Sequence, residues 1–290
     1  MNPIVHERIA AARARLAALA QADRDDPQID PEHGARWWVG DDVAPICVVL
    51  LHGLTNSPPQ YDRLAPQLHA RGHAVIVPRM PYHGYRDRMT RALADLRPGD
   101  LESAALEAVA IAALCGARVV VAGISVGATV AGWVAARAAI DTAIAFAPFS
   151  GVRALPGATN DLLGTLLRAL PNTFVWWDPR VKERQPPSHG YPRFATRALG
   201  ASLHISTVQC RVEPGGPHAR RAVLVLNQND PAINNAHAAR RFAPLRDLGV
   251  AYERIVLRGL PKMHDVIEPA LPQARTDLVY PRLIALIESP

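Results

Sequence analysis

Three residues of this chain have the types and the order that acyl-transfer chemistry demands: Ser125, Asp230 and His264. A serine hydroxyl is a poor nucleophile near neutral pH. It needs a base to take its proton and a carboxylate to orient that base. Ser125 sits in Gly123-Ile124-Ser125-Val126-Gly127, between an apolar run at 118–122 and an alanine-rich run at 128–139. A serine at a strand-to-helix turn, with glycines two residues away on either side, marks a strained turn that lifts the hydroxyl clear of a sheet. Asp230 follows an apolar run in Asn227-Gln228-Asn229-Asp230-Pro231, and His264 follows another in Pro261-Lys262-Met263-His264-Asp265. Both loops then lie on the sheet edge that carries Ser125. The competitors are weaker. Asp265 adjoins His264, but adjacent side chains diverge, so it is expected to cap a following helix. Asp178 is expected at the surface, and His237 on the exposed side of a helix.

The same reaction needs donors aimed at a developing oxyanion. In Leu51-His52-Gly53-Leu54-Thr55, a turn permitted by Gly53 presents the backbone N–H of Leu54. The N–H of Val126, at the amino end of its helix, is the natural second donor. His52 precedes the turn and reads as a structural hydrogen-bonding residue, not the base. Tyr82-His83-Gly84 reads as a loop-shaping element.

These residues must be held by an ordered framework. Short apolar runs at 46–51, 74–78, 119–122, 143–147, 222–227 and 254–257 read as strands, with 36–39 as a further leading strand. Most are continuous rather than alternating, as parallel strands covered on both faces should be. Helical patterns at 58–70, 98–114, 126–139, 232–248 and 276–288 alternate with them. The alternation predicts an α/β fold with a mostly parallel central sheet and helices on both faces. The core is assigned to 31–148 and 222–290, preceded by an N-terminal helical segment at 1–30. Residues 149–221 carry no strong strand signal, and an unstructured loop of that length is improbable in a compact domain. They are expected to form an inserted cap over the carboxyl ends of the strands, where ligands bind in open α/β sheets. Within it Phe174, Trp176 and Trp177 either pack cap on core or line a substrate pocket.

Composition narrows the function classes. The 290 residues have 49% hydrophobic and 20% charged content, as a soluble globular protein does. The net charge of +6 rests almost wholly on dispersed arginine, Lys182 and Lys262 being the two lysines. Nucleic-acid binding would call for clustered basic residues with interleaved aromatics. No apolar run is long enough to span a membrane. Three scattered cysteines, Cys47, Cys115 and Cys210, make no disulfide framework, so reduced thiols and a cytoplasmic location are expected. Oligomeric state is not readable.

With these motifs in order, the chain resembles the α/β-hydrolase superfamily, and within it the carboxylesterase and monoacylglycerol-lipase-like branch. The matching residues are His52-Gly53-Leu54-Thr55, Tyr82-His83-Gly84, Gly123–Gly127 around Ser125, Asn229-Asp230-Pro231 and His264-Asp265, spread over 36–288. The family's leading hairpin is shortened here, and the cap does not align. The resemblance implies an esterase-type serine hydrolase that uses no metal and no cofactor. In it Ser125 is the nucleophile, His264 the base and later acid, and Asp230 the orienting carboxylate, with the oxyanion held by the N–H groups of Leu54 and Val126. The implied partner is a small-molecule ester. A thioesterase, amidase, peptidase or acyltransferase on the same triad, or a non-catalytic ligand-binding protein, fits the same residues. The base should give kcat/KM an acid limb in the ordinary histidine range, ~6–7.

Overall fold

The computed structural model describes residues 3–212 and 215–290; the expected N-terminal segment and cap therefore each include two residues outside the description. Seven strands build the main sheet: β1 (Arg36–Trp38), β2 (Ala44–Leu51), β3 (Ala74–Val77), β4 (Gly116–Ile124), β5 (Thr142–Phe146), β8 (Arg221–Asn227) and β9 (Ala251–Leu257). Their spatial order is β1-β3-β2-β4-β5-β8-β9, and all neighbours are parallel except the β1–β3 pair. The leading hairpin is thus reduced to one three-residue edge strand. The sheet is mostly parallel, as the continuous apolar runs predict. Strand β2 has six successive buried residues, Ile46–Leu51, because helices cover both of its faces.

The helices are α1 (Pro3–Asp25), α2 (Ala65–His69), α3 (Pro98–Cys115), α4 (Val126–Ala135), α7 (Asn235–Phe242) and α8 (Thr276–Glu288) around this sheet, with α5 (Gly157–Ala169) and α6 (Thr196–Val208) between β5 and β8. The N-terminal helix α1 buries Ile9, Ala12 and Leu16. It lies on α3, held by a bidentate Arg15–Glu107 contact. Its far end is anchored by Asp23 to Arg79, just after β3. Among the described residues no helix is long and apolar enough to cross a membrane.

Strand order reverses beside β2: β3 lies on one side and β4 on the other. In parallel sheets such a reversal opens a crevice at the carboxyl ends of the strands. Leu51 and Gly123 are register partners there. The two loops that leave these strands, with His52-Gly53-Leu54 and Ser125, therefore flank that crevice.

The chain between β5 and β8 leaves the sheet. It forms α5, then a two-stranded antiparallel hairpin of β6 (Phe174–Trp176) and β7 (Arg193–Ala195), then α6. Helices α5 and α6 approach closely through glycines. A Cβ at Gly164 would stand 2.9 Å from Leu203 Cβ, and one at Gly200 would stand 3.0 Å from Leu167 Cβ.

Candidate functional site

Ser125 has φ 55° and ψ −117°, a positive-φ conformation outside the allowed regions that a serine adopts only under constraint. The constraint is backbone bonding. Ser125 N–H donates to Phe146 O at 3.1 Å, and its carbonyl accepts from Thr129 N and Phe149 N, each at 3.0 Å. The Thr129 hydroxyl donates to Phe149 O at 2.8 Å, tying the turn to the end of β5. The flanking glycines are steric necessities. A Cβ on Gly127 would lie 2.1 Å from Leu51 O, and one on Gly123 would lie 2.4 Å from the Gly127 carbonyl group. So α4 starts pressed directly against the ends of β2 and β4.

Asp230 and His264 meet across 34 residues of chain. His264 Nδ1 lies 2.8 Å from Asp230 Oδ2. The other carboxylate oxygen accepts the N–H groups of Ala232 at 2.8 Å and Ile233 at 3.0 Å. Asp230 is 1% exposed. Burial pushes its pKa upward, but His264 and the two N–H groups outweigh burial and hold the carboxyl below its usual range. Burial likewise pulls the His264 ring down, yet its bond to Asp230, with the charges of Asp230 and Asp265, leaves the net shift upward. Asparagines lock the two loops together. Asn227 Nδ2 donates to Pro261 O at 3.1 Å and Met263 O at 2.9 Å, and Asn229 Nδ2 to Leu260 O at 2.8 Å.

Ser125 and His264 line one cavity of about 200 Å³, together with Gly53, Leu54, Trp177 and Tyr191. Among the described residues, neither the N–H of Leu54 nor that of Val126 has an internal acceptor. The turn at 53–55 differs in detail from expectation. The positive φ belongs to Thr55, at 68°, and a Cβ on Gly53 would meet only ordinary contacts. Thr55 accepts that strain because its hydroxyl donates to Leu54 O at 2.5 Å and accepts from Trp177 Nε1 at 2.8 Å. Its carbonyl accepts Tyr191 N–H at 2.7 Å.

His52 is buried and structural, as its place before the turn suggests. Its Nε2 accepts Met80 N–H at 3.1 Å. Burial first, then the nearby His83, depresses its pKa well below the ordinary value. Tyr82-His83-Gly84 shapes its loop through positive φ at Tyr82 and Gly84, and Tyr191 Oη donates to Tyr82 O at 3.1 Å.

Two expectations are corrected, and one open alternative is narrowed. Of the aromatic cluster, Trp177 lines the cavity, whereas Phe174 and Trp176 do not. They share one face of β6, and Trp176 pairs in register with Arg193. The Arg193 guanidinium lies 4.3 Å from the Phe174 ring centroid and 5.9 Å from that of Trp176. His237 is 3% exposed rather than solvent-facing, because α7 presents it to Gly157 and Arg241. Asp265 caps no helix, since the next one begins at Thr276. Instead its Oδ2 accepts Gln60 Nε2 at 2.6 Å. Burial and the neighbouring Glu268 push the Asp265 carboxyl up to about 7, against the opposing influence of His264, Gln60 and the Ile267 N–H.

Sequence reasoning missed a group of residues that hold one wall of the cavity. Arg88 donates to four carbonyls of the segment that follows β6: Gly190 at 2.7 Å, Gln185 at 2.6 Å, Pro187 at 3.0 Å and Glu183 at 3.2 Å. His189 Nε2 lies 3.0 Å from the fully buried Glu268, which also accepts Asn56 Nδ2 at 3.1 Å. These ties join residues from 79 to 212 apart in the chain, and no local motif announces them.

The alpha/beta hydrolase family model matches residues 48–269, spanning the turn after β2, Ser125, Asp230 and His264. The chain belongs to the α/β-hydrolase family. No curated protein sequence matches it. Among solved structures it is similar to one described with LipS and LipT, two metagenome-derived lipolytic enzymes, at 18% identity and TM-score 0.66, covering 90% of this chain and 99% of that one. It is also similar to a soluble variant of monoglyceride lipase from Saccharomyces cerevisiae, at 14% identity and TM-score 0.64, covering 88% and 90%. A third is the monoacylglycerol lipase of Paleococcus ferrophilus, at 16% identity and TM-score 0.62, covering 87% and 97%. At these identities the likeness is one of fold.

Proposed function

We propose that this α/β-hydrolase is a serine esterase that cleaves small-molecule carboxylic esters through an acyl-enzyme. The observation that carries this reading is the 2.8 Å contact between His264 Nδ1 and buried Asp230, at a cavity that also holds Ser125. With Nδ1 committed to the carboxylate, Nε2 is the nitrogen left to take the serine proton. Ser125 Oγ bonds to the carbonyl carbon as its proton passes to His264. The oxyanion is received by the N–H groups of Leu54 and Val126, each worth ~3–4 kcal/mol in the transition state. The carbon–oxygen bond then breaks, and the leaving alkoxide takes the proton from His264. Water, deprotonated by the same ring, attacks the acyl carbon; the carbon–Oγ bond breaks, Ser125 Oγ takes the proton back from His264, and the carboxylic acid leaves. Water is the one co-reactant these steps need.

We assign 149–221 to a cap whose segment around Trp177 and Tyr191 roofs the cavity. The small volume and the apolar walls at Ile124, Trp177, Pro186 and Leu271 favour short to medium acyl or aromatic esters. A panel of p-nitrophenyl esters of graded chain length tests this, with Ser125→Ala as control. The expected result is turnover that falls with chain length and drops by about 10⁴-fold or more in the variant. Folded wild type that turns over no ester, or no faster than Ser125→Ala, overturns it.

A further inference from the structure

The turn that offers Leu54 N–H and the loop that offers His264 come from strands at different places in the sheet, yet one side chain spans them. Gln60 is 1% exposed. Its Oε1 accepts Gly53 N–H at 2.9 Å, and its Nε2 donates to Asp265 Oδ2 at 2.6 Å. The amide can face only one way. The backbone N–H of Gly53 is a donor and demands the oxygen, which leaves the nitrogen for the carboxylate. Gly53 directly precedes Leu54, and Asp265 directly follows His264. Gly53, Gln60 and Asp265 all line the cavity that holds Ser125.

We propose that Gln60 and Asp265 are positioning residues that brace the oxyanion turn against the histidine loop, so that Leu54 N–H is held where charge develops. This rests on the acyl-enzyme reading above. A donor to the oxyanion acts on the transition state and not on the bound ester, so a loosened turn lowers kcat and leaves KM nearly unchanged. A merely structural role lowers stability or the active fraction and leaves the kcat of each active molecule alone.

The test reverses the polarity of the brace. Assayed at a pH above about 7, where the Asp265 carboxyl is ionised, Gln60→Glu keeps the acceptor for Gly53 N–H but sets two carboxylates against each other. Gln60→Glu combined with Asp265→Asn restores a donor–acceptor pair in the opposite sense. Rates are referred to sites titrated with a fluorophosphonate. The expected result is a kcat loss of about 10²-fold in Gln60→Glu, KM within about 3-fold, and recovery to within about 10-fold of wild type in the double variant. A second pair guards against misfolding of the first. Asp265→Leu should lose kcat by a similar factor, and Asp265→Asn, which still accepts from Gln60, should lose several-fold less. The brace is overturned if titrated Gln60→Glu keeps wild-type kcat, if the double variant is no better than Gln60→Glu, or if Asp265→Leu and Asp265→Asn are equal. Wild type that takes up no fluorophosphonate sinks the esterase reading itself, which separates the two failures.

Discussion

At the scale of single residues, the proposed catalysis depends on the protonation of His264, and its surroundings determine where that changes. Asp230 sits below the usual carboxylate range and stays ionised through neutral pH, so it favours the charged ring. The raised histidine moves the acid limb of kcat/KM above the ordinary value of 6.5, not merely into the histidine range that the motif suggests. Activity should therefore rise with pH through a limb placed above 6.5 in the wild type. Asp230→Asn removes the charge, and with its amide oxygen held by the Ala232 and Ile233 N–H groups it turns a donor instead of an acceptor toward His264 Nδ1, so the limb should move down and kcat should fall by about 10³–10⁴-fold. A pH–rate profile of both proteins checks this; coincident limbs contradict it.

At the scale of elements, the turn between β4 and α4 fits only with glycine at its flanks. Gly127→Ala places a methyl 2.1 Å from the Leu51 carbonyl oxygen, and backbone on both sides cannot yield. The expected loss is about 3 kcal/mol or more of stability in urea unfolding, with activity lost alongside. An unchanged midpoint contradicts the contact. These glycines were legible in the sequence because a local pattern records the close approach. The parallel strands were legible because burial on both faces leaves continuous apolar runs. The hairpin β6–β7 was not, since each strand has three residues and its register is marked by Arg193 against Phe174 and Trp176, a polar–aromatic pairing without periodicity. Helix α6 was missed for another reason. Its buried Leu203 and Ile205 are interspersed with buried Gly200, Ser202 and Ser206, so the face it packs inward leaves little apolar signal. The Gln60–Asp265 contact joins residues 205 apart and is visible only once the fold is known.

At the scale of the molecule, the cavity is closed by mutual bracing of loops, and part of that bracing costs stability as pH rises. The Asp265 carboxyl faces Glu268, His264, Tyr61 and Tyr280. Its value rises from 3.8 to about 7 on folding. The folded state then binds more protons than the unfolded chain in that interval, so this group's contribution is fully present below 3.8 and is lost as pH climbs through about 7. Asp265→Asn has no such group. Urea unfolding from pH 5 to 8 should show the wild type losing stability relative to Asp265→Asn, by on the order of a few kcal/mol. Parallel curves contradict the assignment. The topology puts the loop after β4, which carries Ser125, at the crevice where strand order reverses, and the proposed chemistry converges on its hydroxyl. The most direct measurement is therefore the site of covalent capture. Native protein treated with a fluorophosphonate and digested for peptide mass spectrometry should carry one adduct, on the peptide containing Ser125, and Ser125→Ala should carry none. Folded wild type without an adduct, or with the adduct on another residue, contradicts Ser125 as the nucleophile.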